Sequence, residues 1–89
     1  MTGAPGSTTT VVLYGKADCP LCDDARVVLE RVRADVPFDL VERDIERDEA
    51  LHRRYLERIP VVEVAGEEVF EFFVEEAELR RRLAIVVGG

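Results

Sequence analysis

The sequence predicts a single α/β domain with the element order βαβαββα, in which one four-stranded mixed sheet carries helices on both faces. Three observations lead there. Apolar strand patterns alternate with amphipathic helical patterns up to Pro60. Two strand patterns then follow each other across a short turn, as in a hairpin. The pair Cys19 and Cys22 stands where the first strand gives way to the first helix.

The elements follow in order. Residues 1–9 are mostly Gly, Pro, Ser and Thr and read as a flexible tail, which leaves residues 10–87 as the one domain. Residues 10–14, TVVLY, are β-branched and apolar and suit a strand buried on both faces. Leu21, Ala25, Val28, Leu29 and Val32 repeat with helical spacing, and this helix ends before Pro37. Residues 38–42, FDLVE, read as a second strand. Asp48 suits a helix N-cap, with Leu51, Tyr55 and Leu56 as an apolar stripe that runs up to Ile59 and stops at Pro60. Residues 61–64 and 68–72 form a hairpin around Ala65, Gly66 and Glu67. A last helix presents Leu79, Leu83 and Val86 on one face, with Glu75 and Glu76 at its positive end. Arg80, Arg81 and Arg82 are expected to support its C-terminal end. Phe70, Phe72 and Phe73 are expected mostly in the core, with at least one at the surface.

Composition narrows the function. The net charge of -7 repels phosphate and argues against nucleic acid as a partner. No apolar run approaches the ~18 residues of a membrane span. The N-terminus MTGAPGSTTT has neither a basic region nor an apolar stretch, so no secretory signal is expected and the expected location is cytoplasmic. Two cysteines cannot build a disulfide framework. In a reducing compartment such a pair is catalytic or metal-binding more often than structural.

Placement decides between these. Cys19 falls at the N-terminus of the first helix, with Pro20 at the first helical position, where a missing N–H costs nothing. Free backbone N–H groups and the positive end of the helix favour thiolate over thiol at Cys19. Lys16, the only lysine, adds positive charge nearby. Cys22 lies one turn further in. The pair is therefore asymmetric, with Cys19 as nucleophile and Cys22 as resolving thiol. Asp18, Asp23 and Asp24 oppose the thiolate, and Asp23 and Asp24 also support the helix start. Zinc would need two further ligands, and only His52 is on offer, on a helix face flanked by Arg53 and Arg54. An iron–sulfur cluster shared between two chains would need no extra ligand.

A C-x-x-C at the head of the helix in a βαβ unit is a redox signature. Together with "VVLYGKADCPLC", "RIPVVEV" and "AGEEVFEFFVEEAELRRRL", it makes the chain resemble the glutaredoxins, within the thioredoxin-fold superfamily. The small bacterial glutaredoxin-like proteins are the most similar branch. The resemblance implies a sheet of order 2-1-3-4, with the first and third helices on one face. It implies a cis Pro60 against the dithiol, which frees the Ile59 backbone to pair with substrate. Lys16, Pro20, Leu21, Ile59, Pro60, Val74 and Glu75 are then the substrate-contacting positions, and Cys19, Cys22 and Lys16 carry the chemistry. The chain departs from glutathione-binding members in three places. "FFVEEAE" stands where a Gly-Gly-Asp-like turn is usual, Leu21 where Tyr is common, and Ile59 where Val is usual. Weak glutathione binding is therefore expected.

The resulting expectation is a monomeric thiol–disulfide oxidoreductase without metal or permanently bound cofactor. It would act on a disulfide-containing protein or a glutathione mixed disulfide, with glutathione as candidate co-substrate. The alternative is a non-catalytic binding module of the same fold, holding an iron–sulfur cluster between subunits.

Overall fold

Residues Thr10–Gly15 form the first strand, β1, at the centre of the sheet in the computed structural model, which describes residues 9–88. The expected tail up to residue 8 and the side chain of Val86 lie outside the described residues. Thr9, assigned to the tail by composition, is buried, and its carbonyl accepts the Asp39 N–H at 2.9 Å.

β1 pairs in parallel with β2, Asp39–Asp44, and antiparallel with β3, Val61–Val64. β3 pairs antiparallel with β4, Glu67–Glu71, so the order is β2-β1-β3-β4, as the resemblance implied. Alternation along β1 serves both faces. Val11 and Leu13 join a cluster with Ala25, Leu29 and Val32 of helix α1, Pro20–Asp35, and with Leu79 and Leu83 of α3, Glu76–Gly88. Val12 and Tyr14 face a second cluster with Ile45 and Tyr55, on the side of helix α2, Glu49–Tyr55. α1 and α3 thus share one face and α2 holds the other.

Strand β2 starts one residue later than its apolar pattern and ends two residues later. Phe38 is spent in the core just ahead of it, and the ladder with β1 runs on through Arg43 and Asp44. As an edge strand β2 needs little apolar character, so charge hides its end. A 3₁₀ turn, Ile45–Arg47, leads to Asp48, whose carboxylate accepts the N–H groups of Ala50 and Leu51 and caps α2 as expected.

Three expectations need correction. α2 ends at Tyr55, not near Ile59, and Leu56 is 39% exposed. The chain tightens there into an i to i+3 bond from Arg58 N–H to Tyr55 C=O, 2.8 Å, which turns Leu56 outward. Arg80, Arg81 and Arg82 do not serve the end of α3, which continues to Gly88. They pair with Glu76 and Glu78 on their own helix and with Asp35 and Glu67 beside it. Of the three phenylalanines only Phe70 is core; Phe72 and Phe73 are 40% and 70% exposed. Strand alternation would have carried them inward, but β4 stops at Glu71 and the backbone reverses at Phe72, whose φ is 69°.

The hairpin turn is Ala65 and Gly66, with φ of 52° and 86°. Positive φ at both positions is the primed turn whose twist fits a two-residue hairpin, and Gly66 accepts it without strain.

Candidate active site

Cys19 is the N-cap of α1 and Pro20 follows at the first helical position. The extended backbone of Cys19 leaves its Sγ facing the open helix end, where it accepts the Cys22 N–H at 3.2 Å. Cys22 is one turn in and fully buried, whereas Cys19 is half-buried. The two are at disulfide-bonding distance, with Cα atoms 5.2 Å apart.

Gly15 makes this packing possible. A Cβ there would stand 3.0 Å from the Cys22 Sγ and 3.3 Å from its Cβ. The end of β1 can approach α1 only because residue 15 has no side chain. The contact that gives this glycine a role is tertiary, so no local pattern in the sequence announces it.

Below the pair lies an aromatic floor. Tyr14 and Tyr55 stack with ring centroids 4.4 Å apart, in the same cluster as Cys22, with Cys19 packed against it. The Tyr14 hydroxyl donates to Glu63 at 3.1 Å and the Tyr55 hydroxyl to Glu68 at 2.7 Å. Burial, then these carboxylate neighbours, push both phenols above their ordinary value. Arg58 donates to Glu68 at 2.6 Å and to Glu71 at 2.8 Å. That bond, then the one from Tyr55, holds the Glu68 carboxyl below its usual range. Sequence spacing gave no sign of the stack, because Tyr14 and Tyr55 sit on different elements.

The other expected site residues fall in three places: beside the cysteines, at the start of α3, and on the β2 side of β1. The Ile59–Pro60 peptide is cis, and Ile59 packs in the cluster that holds Cys22 and touches Cys19. No described residue hydrogen-bonds to the Ile59 N–H or C=O. Pro60 is buried, and its carbonyl accepts the Phe72 N–H at 2.8 Å. Pro20 is exposed and Leu21 half-buried beside the cysteines. Val74 packs partly against the α1–α3 core, and the Glu75 carbonyl accepts the Leu79 N–H at the start of α3.

Lys16 is on the β2 side of β1. It lines a cleft of about 230 Å³ with Asp23, Arg26 and Glu42, between β1, β2 and α1. Ile59 and Pro60 lead into β3, on the opposite flank of β1. Asp23 is held by Arg26 at 2.9 Å, and Arg26 also bonds Glu42 at 2.9 Å. Among the described residues no three His, Cys, Asp or Glu side chains gather as metal ligands.

Residues 10–84 match the family described as Glutaredoxin-like domain (DUF836). No curated protein matches the chain. Among solved structures, protein Ne2328 from Nitrosomonas europaea is similar over 97% of this chain and 94% of its own, at 24% identity and a TM-score of 0.70. A structural-genomics target protein from X. campestris is 30% identical over 84% of this chain and 96% of its own, with a TM-score of 0.70. Chloroplastic thioredoxin z shares the fold at 16% identity, over 92% of this chain and 80% of its own, with a TM-score of 0.75. With a C-x-x-C pair at the head of α1 and the β2-β1-β3-β4 sheet, the chain belongs to the glutaredoxin-like domain family of the thioredoxin-fold superfamily.

Proposed function

We propose that the protein is a thiol–disulfide oxidoreductase in which Cys19 attacks and Cys22 resolves. The observation that carries this reading is the asymmetry of the pair: a half-buried cysteine at a helix N-terminus and a fully buried one a turn behind it. The helix end and the Cys22 N–H stabilise negative charge on the Cys19 Sγ.

The Cys19 thiolate attacks one sulfur of a substrate disulfide. That bond breaks, the second substrate sulfur leaves as a thiolate and takes a proton, and a mixed disulfide joins Cys19 to the substrate. Cys22 loses its proton and attacks the Cys19 sulfur, which releases the first substrate sulfur as a thiol. The protein ends as the Cys19–Cys22 disulfide, and a thiol or dithiol reductant returns the two electrons.

The unpaired backbone of Ile59 offers the substrate chain a place to pair, with Pro60, Pro20 and Leu21 around it. Lys16 acts on the other flank, on the thiolate or on a substrate carboxylate. In this scheme the protein acts as a monomer. A cytoplasmic location suits the scheme, because a reducing pool regenerates the dithiol there.

The test is disulfide reduction by the purified protein, coupled either to glutathione with its reductase or to thioredoxin reductase. Turnover that Cys19→Ser removes supports the proposal. A protein that purifies anaerobically with visible cluster absorbance and reduces no disulfide would be a cluster-holding module instead.

A further inference from the structure

We infer that Phe72 and Phe73 form an apolar rest for the polypeptide bearing the substrate disulfide, so that the protein favours an extended peptide with an aromatic or aliphatic side chain beside its cysteine. This rests on the oxidoreductase reading and names its substrate class.

Folding alone gives no reason for these side chains. The Phe73 N–H bonds the Glu71 C=O at 2.7 Å across Phe72, whose φ is 69°. This is the rare, strained form of the γ-turn, and a bulky residue at positive φ is an outlier in it. Glycine would relieve the strain at 72, and a polar residue would suit solvent at 73. The sequence instead has two phenylalanines, 40% and 70% exposed. Strain of this kind collects at ligand clamps.

The position of the turn says what it clamps. The Phe72 N–H donates to Pro60 C=O, which ties the turn to the segment carrying Ile59. Ile59 in turn packs in the cluster that contacts both cysteines. Ile59 has a free N–H and C=O among the described residues, which suits the main chain of an extended segment. The phenylalanines suit one of its side chains. The turn that carries the apolar pair is thus one backbone hydrogen bond from the cis Ile59–Pro60 segment.

Charge disfavours the small anionic alternative. Asp18, Asp24 and Glu75 are exposed carboxylates around the cysteines and the turn. They favour a neutral or basic occupant over an anionic thiol such as glutathione. Val74 and Glu75 fill the place where glycines would admit a carboxylate to the helix start.

The test uses two short synthetic peptides, each with one lysine and one cysteine disulfide-bonded to 2-mercaptoethanol. They differ only in phenylalanine or serine beside the cysteine. The wild-type protein is expected to prefer the phenylalanine peptide in kcat/KM by about tenfold, the effect of taking roughly half of that side chain from water. Phe72→Gly and Phe73→Ser should bring the ratio close to one, while Phe73→Leu keeps it. Phe72→Gly relieves the positive φ, so loss of folding does not obscure the result. Ratios in Phe72→Gly and Phe73→Ser equal to wild type overturn the inference.

A serine version of the phenylalanine peptide reads docking apart from chemistry. Amide shifts at Ile59 and residues 71–75 support the surface even if neither disulfide peptide is reduced, in which case only the oxidoreductase reading falls. Absence of those shifts overturns the inference. So does a self-associated wild type that Phe73→Ser makes monomeric, because the occupant is then a second copy of the chain.

Discussion

Gly15→Ala probes how the dithiol is packed. The new Cβ would stand 3.0 Å from the Cys22 Sγ and 3.3 Å from its Cβ. Ordinary carbon contacts lie at ~3.5–4.0 Å, so the pair must part by several tenths of an ångström. Cys22 is fully buried, and in the oxidised form its sulfur is tied to Cys19. Overpacking of this kind costs about 1–3 kcal/mol. The lost glycine freedom of the unfolded chain returns about 0.4–1 kcal/mol, because φ at residue 15 is open to alanine. The oxidised protein should therefore lose between about 0 and 2.6 kcal/mol, about 1.3 kcal/mol at the midpoint, and at ~4–8 °C per kcal/mol that midpoint lowers Tm by about 5–10 °C.

In the reduced form the Cys22 side chain can turn away from residue 15, so its loss should be smaller. If the two forms differ by about 1 kcal/mol, the reduction potential becomes less negative by about 20 mV, from the equivalence of ~30 mV and 1.4 kcal/mol for two electrons. Thermal melts of both forms measure the first effect, and equilibration in glutathione buffers measures the second. Equal Tm losses in the two forms with an unmoved potential would refute the reasoning, because strand β1 would then be absorbing the methyl group without disturbing the sulfur.

Cys22→Ser should accumulate a mixed disulfide through Cys19, whereas Cys19→Ser should be inactive; intact-mass analysis after turnover reads both, and brief iodoacetamide treatment of the reduced protein should label Cys19 first. The potential of the pair should lie on the order of -200 to -230 mV or somewhat lower, by the same redox titration. Glu68 has a depressed folded-state pKa, so its contribution to stability is present above its ordinary value of 4.5 and is lost as pH falls through the lower folded value. Glu68→Gln should flatten the decline of Tm below that pH and lower Tm at pH 7. Tyr14 and Tyr55 have raised pKa values, so their contribution is intact below the ordinary phenol value of 10.0 and fades as pH climbs beyond it. With no tryptophan in the chain, phenolate absorbance should rise together with alkaline unfolding.

The parts of this fold that repeat were legible in the sequence. α1 announces itself through Ala25, Leu29 and Val32, and its start through Pro20, because a helix face and a helix end have local signatures. The Asp48 cap is local in the same sense. Parts decided by contacts between elements were not legible. The end of β2 is charged because an edge strand can be. Leu56 fits the stripe of α2, yet the backbone turns before reaching it. Phe72 and Phe73 look like core because alternation cannot announce a reversal at a non-glycine residue. Gly15 reads as a strand terminus until the Cys22 sulfur is placed against it. The cis Ile59–Pro60 peptide came from the resemblance rather than from any pattern in the residues.

The acidic flank of the dithiol can now be weighed against the helix end. A helix N-terminus contributes about 0.3–1 kcal/mol to a nearby anion when exposed, and up to ~2 kcal/mol in partly buried geometry. Cys19 has that geometry, since it is half-buried and its Sγ touches the Cys22 N–H directly. The aspartates act differently. Asp23 is paired to Arg26, and Asp18 and Asp24 are exposed. Two unit charges even 4 Å apart in water interact by only about 1 kcal/mol, and salt screens them further over ~8–10 Å. Contact with the helix end therefore outweighs repulsion through solvent, and a thiolate at Cys19 is compatible with a chain of net charge -7. What the carboxylates do affect is a charged partner in approach, because it feels them all together before any contact forms. Under the proposed mechanism, the surface charge selects which disulfides arrive and the helix end determines how Cys19 reacts with them.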